Sequence, residues 1–143
     1  MKEKVVLITG GGQGIGYGVS CAFAEKGANL ALTGRTLSKL QNAKKKIEEQ
    51  YGVRVLTIVA DGSNEAAVKQ AVEEVIKEYG RLDAVVNNAQ NSASGVMLVD
   101  HTKDDFDKAI YSGLYATFFF MKYAFPYLKE SKGAVVNFAS GAG

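Results

Sequence analysis

The sequence predicts an α/β fold: a doubly wound parallel sheet of Rossmann type, with helices on both faces in three layers. Three observations carry this expectation. Short unbroken apolar runs such as "VVLIT" at residues 5–9 lack polar alternation, the mark of strands buried on both faces. Between them lie longer stretches with apolar residues at helical spacing, and strand–helix alternation implies parallel strands joined by right-handed crossovers. Between the first strand and the first helix, "LITGGGQGIGYG" (residues 7–18) packs six glycines into twelve residues. At 143 residues the chain is one domain's worth, 1–143.

Each element follows from local signals. Residues 5–9 form the first strand, and residues 15–26 a helix whose apolar positions are Ile15, Val19, Ala22 and Phe23, stopped by Gly27. Residues 29–33 form the second strand and residues 37–51 a helix ended by Gly52. Residues 53–59 are the third strand. Residues 64–79 are helical, with Ser63 or Asn64 as N-cap and Gly80 as stop. Residues 84–87 are the fourth strand. Residues 102–128 read as one long helix capped by Thr102, with Gly113 and Pro126 as its internal breakers, and residues 134–138 as the fifth strand.

Composition excludes several classes. Seventeen Lys and Arg against fifteen Asp and Glu leave a net charge of +2, too little for a nucleic-acid surface. The one basic run, Lys44 to Lys46, is followed by Glu48 and Glu49 and reads as a solvated helix face. The single cysteine, Cys21, permits no internal disulfide and fits a reducing compartment as a small buried hydrophobe. The charged start "MKEK" and the short apolar runs resemble neither a signal segment nor a membrane span. A cytoplasmic protein with no membrane partner and no metal site is expected.

The glycine run carries the chemistry. A helix N-terminus presents unpaired N–H groups and positive dipole to an anion, and glycines let a phosphate approach the backbone. No lysine occurs between Lys4 and Lys26, so a Walker loop is excluded, and Gly-x-Gly-x-x-Gly fails in every frame. What fits is Thr9-Gly10-x-x-x-Gly14-Ile15-Gly16.

That pattern resembles the cofactor loop of the short-chain dehydrogenases/reductases, and further matches follow in order along the whole chain. They are Asp61 after the third strand, Gly80-Arg81-Leu82-Asp83 before the fourth, Asn87-Asn88-Ala89-Gln90 after it, and Ser140 after Val135-Val136-Asn137-Phe138-Ala139. The resemblance implies an NAD(P)-dependent oxidoreductase interconverting an alcohol and a carbonyl on a small-molecule substrate, homo-oligomeric through its long helix. It implies cofactor contacts at Gly10, Gly12, Gln13, Gly14, Ile15, Gly16, Arg35, Asp61, Gly62, Asn88 and Ala89, with Ser140 as the catalytic serine holding the substrate oxygen. Arg35 follows the second strand, and no Asp or Glu occurs between Glu25 and Glu48. A guanidinium there suits a 2′-phosphate, so NADP(H) is expected over NAD(H). Plainer roles are expected for Asp83 (a turn or cap), Asn87 (a strand-bridging hydrogen bond) and the aromatic cluster from Tyr115 to Phe125 (helix packing). Asp61 could also be a helix N-cap.

Departures from the family pattern are equally specific. The helix asparagine, which holds a relay water in the family, falls on Gly113, and Ser112 points about 100° away around a helix. Gln90 replaces a glycine and brings a side chain toward the nicotinamide ribose. The family's Tyr-x-x-x-Lys, its general acid/base and partner, does not occur before Gly143. The chain therefore reads as the amino-terminal part of such an enzyme, inactive alone. The alternative is a non-catalytic dinucleotide sensor or scaffold that lost the relay.

Overall fold

The computed structural model describes residues 1–139. Five parallel strands lie in the order β3-β2-β1-β4-β5. They are β1 (Val5–Thr9), β2 (Asn29–Gly34), β3 (Val55–Val59), β4 (Ala84–Asn87) and β5 (Ala134–Asn137). The crossovers carry α1 (Gly14–Glu25), α2 (Leu37–Tyr51) and α3 (Glu65–Tyr79). The last connection holds α4 (Lys103–Ala109) and α5 (Ala116–Ser131). The chain winds from β1 out to β3, then returns past β1 to β4. Strand order therefore reverses at β1, and a crevice opens there beyond the carboxyl ends.

Alternation along β1 divides the core. Val6 and Ile8 pack with Leu30, Leu32, Leu40 and Ile47 under α1 and α2. Val5 and Leu7 face the other way, onto Val68, Val72, Phe120 and Leu128 of α3 and α5. All five residues of β1 are buried, as its unbroken apolar run requires.

Caps agree with the sequence signals. Asn64 is the N-cap of α3 and accepts the Ala67 N–H, so that role does not fall to Asp61. Gly52 and Gly80 close α2 and α3 with φ of +67° and +73°. Thr102 and Asp105 form a reciprocal capping box at α4.

Two expectations fail. The segment after Thr102 is not one helix: residues Ile110–Tyr115 form a π-helical turn between α4 and α5, centred on Gly113. The wider turn takes up extra backbone, so hydrophobic spacing read at 3.6 residues passes over it. The breaker Pro126 is accommodated within α5. On α1 the buried positions are Gly16, Ser20 and Ala24, while Ile15 is 68% exposed and Ala22 is also exposed. The helix lies too close to the glycine loop for large side chains on its inner face, so small residues point inward.

Asp83 ties the amino-terminal edge of the sheet together. Its carboxylate accepts the Val5 N–H at 2.9 Å, Lys4 Nζ at 3.1 Å, and Arg81 Nε and Nη2 at 2.8 and 2.6 Å. Its carbonyl accepts the Ala134 N–H at the start of β5. Burial alone would raise its pKa, but the Arg81, Val5 and Lys4 hydrogen bonds outweigh that and hold it at about 2. A carboxylate depressed in the folded state stabilises above its unfolded pKa, and that contribution is lost as pH falls toward the folded value. We therefore expect Asp83→Asn to lower stability at pH 7 by roughly 1–2 kcal/mol. Urea unfolding should show the difference between parent and variant shrinking from pH 4 to pH 2; a pH-independent difference would contradict this role.

Candidate functional site

A cleft of about 640 Å³ lies at the carboxyl ends of β1, β2, β3 and β4. It gathers residues far apart in sequence: Gly10, Gly12, Gln13, Gly14 and Ile15 from the glycine loop, Arg35 after β2, Asp61 and Gly62 after β3, and Asn88 and Ala89 after β4. Gly16, expected among the contacts, is absent from that lining and buried beneath the loop. A Cβ on it would stand 2.2 Å from the Gly10 carbonyl oxygen and 2.6 Å from Asn88 Nδ2. A glycine at this position lets α1 touch the loop. Ser140 lies outside the described residues.

Local chemistry explains the loop's shape. Gly10 and Gly14 have φ of +67° and +54°, which side chains disfavour, and a Cβ on Gly14 would meet open space. Thr9 Oγ1 accepts two N–H groups at 3.0 Å each, from Asn88 and Ala89. Asn88 Nδ2 returns a hydrogen bond to the Thr9 carbonyl at 3.1 Å. The Ser20 hydroxyl, one turn beyond Gly16, donates to the Gly16 carbonyl at 2.8 Å and stands 3.2 Å from that of Gly11. The loop is thus held to β4 on one side and to α1 on the other.

These residues fit a phosphate-bearing ligand. The N-cap of α1, Gln13, makes no side-chain capping bond, and the first turn carries no acidic residue. Its N–H groups and dipole are left to an anion from outside. Arg35, Thr36 and Lys39 add hydrogen-bonding and positive groups at the β2 side of the cleft. Asp61 is held below the ordinary carboxylate range, chiefly by the Ser63 hydroxyl and backbone N–H, with Arg35 adding to the effect. Gly62 has a packing duty as well, since a Cβ there would lie 2.8 Å from Ala116 Cβ on α5.

Around the β4 end, Asn87 Nδ2 donates to Asn137 Oδ1 at 2.8 Å, the expected bridge between strands. Its own Oδ1 is buried and has no hydrogen-bond partner among the described residues. Ser112, in the π turn, accepts the Asn91 N–H at 2.8 Å and donates to the Asn91 carbonyl at 3.0 Å. Sequence spacing gave Ser112 no role because a regular helix points it elsewhere. Thr36 and Lys39 were equally silent, since nothing in α2 marks its first turn as part of a cleft. Among the aromatic residues, Phe120 is buried at the cleft floor, while Phe118 and Phe125 are 55% and 62% exposed, so packing accounts for only part of the cluster. No helix of the described residues is long and apolar enough to cross a membrane.

A parallel sheet with a glycine-lined crevice at the reversal of strand order defines a nucleotide-binding α/β protein. Residues 4–143 match the short chain dehydrogenase family, and the chain belongs to it. It is 55% identical to a 12alpha-hydroxysteroid dehydrogenase of Clostridium sp., across 98% of this chain and 56% of that protein. Among solved structures, an NAD+-bound xylitol dehydrogenase superposes with a TM-score of 0.93 at 29% identity, covering 99% of this chain and 55% of the other. An alcohol dehydrogenase from the archaeon Thermococcus sibiricus, complexed with 5-hydroxy-NADP, gives 0.88 at 29% identity, covering 93% and 57%. The chain thus spans just over half the length of these relatives.

The Thr9 hydroxyl carries the loop-to-β4 junction, and Thr9 is only 4% exposed. Thr9→Val keeps the shape but strands two N–H groups, which should cost about 2 kcal/mol. The urea midpoint should fall accordingly, with dinucleotide affinity falling alongside; an unchanged midpoint would show that water replaces the hydroxyl freely.

Proposed function

We propose that the chain is the dinucleotide-binding part of an NADP(H)-preferring oxidoreductase that interconverts an alcohol and a carbonyl. The observation that carries this reading is the convergence of the uncapped α1 terminus, Arg35, Asp61 and Asn88 on one cleft at the strand-order reversal. The pyrophosphate rests on the N–H groups at the start of α1, reached across Gly12 and Gly14. The adenosine half runs over β2 and β3, with Asp61 and Gly62 beside the adenine and Arg35 against a 2′-phosphate. Arg35 pairs with a phosphate through charge-assisted hydrogen bonds, which a ribose hydroxyl cannot match. When bound, the nicotinamide supplies the hydride chemistry.

Ser140 is assigned the hydrogen bond to the substrate oxygen, on the family resemblance alone. The 55% identity to a hydroxysteroid dehydrogenase makes a hydroxysteroid the first substrate class to test. The exposed Phe118 and Phe125 support a homo-oligomer formed through α5. The glycine at 113 favours a second reading, a dinucleotide-binding sensor without turnover.

Fluorescence titration tests the cofactor. NADPH should bind tighter than NADH by about tenfold or more, as expected for one charge-assisted phosphate contact. Arg35→Asp should reverse the order; tighter NADH binding by the parent, or an unchanged ratio in the variant, would refute the preference. Hydroxysteroid oxidation with NADP+ by the full-length protein separates the two readings. Turnover supports the enzyme, and binding without turnover supports the sensor.

A further inference from the structure

Gln90 stands at the carboxyl end of β4 with the backbone fixed on either side. The Ala89 N–H is bound to Thr9 Oγ1 at 3.0 Å, and the Asn91 N–H to Ser112 Oγ at 2.8 Å. Its side chain lies across Gly113 of the π turn. A Cβ at 113 would come within 3.7 Å of Gln90 Cγ and 3.9 Å of its Cδ, already van der Waals contact. Any larger side chain directed the same way would have to displace the glutamine. Position 113 is therefore bare where position 90 is large.

The carboxamide is exposed on the cleft wall and committed to no described partner. It offers one acceptor and two donors and cannot transfer a proton at neutral pH. A dinucleotide with its pyrophosphate at the start of α1 and its adenosine half over β2 and β3 must carry its other half across β1 toward β4. That path brings its second ribose to Gln90.

Resting on the dinucleotide reading above, we infer that Gln90 and Gly113 act as one unit that positions the nicotinamide half of the cofactor. Gly113 leaves the room that Gln90 occupies, and the Gln90 carboxamide hydrogen-bonds the ribose on the nicotinamide side. The backbone at 90 is held from both directions, so binding has only the side chain left to order.

Two ligands separate this from a structural effect: NADPH, followed by its nicotinamide fluorescence, and adenosine 2′,5′-bisphosphate, which lacks the nicotinamide half. Gln90→Ala should weaken NADPH about 3- to 10-fold, the range of one neutral hydrogen bond, and leave the bisphosphate unchanged. Gly113→Asn should do the same by pushing Gln90 aside. The double variant should be no worse than either single one, because both remove the same contact. Unchanged NADPH affinity in Gln90→Ala, equal weakening of both ligands, or a double variant at the product of the single losses would overturn the proposal. If the parent chain binds neither ligand, the dinucleotide reading falls and this inference with it.

Discussion

Two strands that are neighbours in space but nearly eighty residues apart meet at one hydroxyl, Thr9 Oγ1, which accepts consecutive N–H groups from Asn88 and Ala89. The crevice depends on that junction. Where parallel strands end, backbone groups lose their ladder partners, and each buried one must be satisfied or it costs free energy. Thr9 satisfies two part-buried ones and holds the chain leaving β4 against the glycine loop. On its other side α1 comes so close to the loop that a single methyl group at position 16 would sit 2.2 Å from the Gly10 carbonyl oxygen. Glycine at 16 is a packing requirement first, and the site inherits its shape from it.

The same economy recurs on the other face. Gly62 abuts Ala116 where the chain leaving β3 passes α5, and Phe120, one turn on, fills the floor of the cleft. Small residues at the contacts bring α5 close, and the π turn preceding it aims Ser112 and Gly113 at the segment after β4. Ser112 then grips Asn91 through both of that residue's backbone groups. Opposite ends of the cleft wall are thus built from one hydroxyl each, Thr9 on β1 and Ser112 in the π turn.

How much of this was legible depended on the range of the interaction. The strands, the caps at Asn64 and Thr102 and the terminal glycines 52 and 80 are set by neighbours a few residues away, and their signals are local. The glycine loop was legible because its strand–loop–helix context restricts its chemistry. Ile15 and Ala22 were misplaced because apolar periodicity assumes that the largest apolar residues point inward, whereas proximity to the loop selected Gly16, Ser20 and Ala24. The π turn stayed hidden since one extra residue per turn leaves no compositional trace. Without it, the contact between Ser112 and Asn91 and the seating of Gln90 on Gly113 have no sequence signature.

Phosphorus NMR of NADP+ titrated with the chain tests the central claim most directly, because it reports on the phosphates themselves. Bound at the α1 terminus and Arg35, the pyrophosphate resonances should shift and broaden, and the 2′-phosphate should titrate at a lower pH than in free NADP+. Phosphorus spectra identical to those of the free dinucleotide at saturating protein would contradict the account.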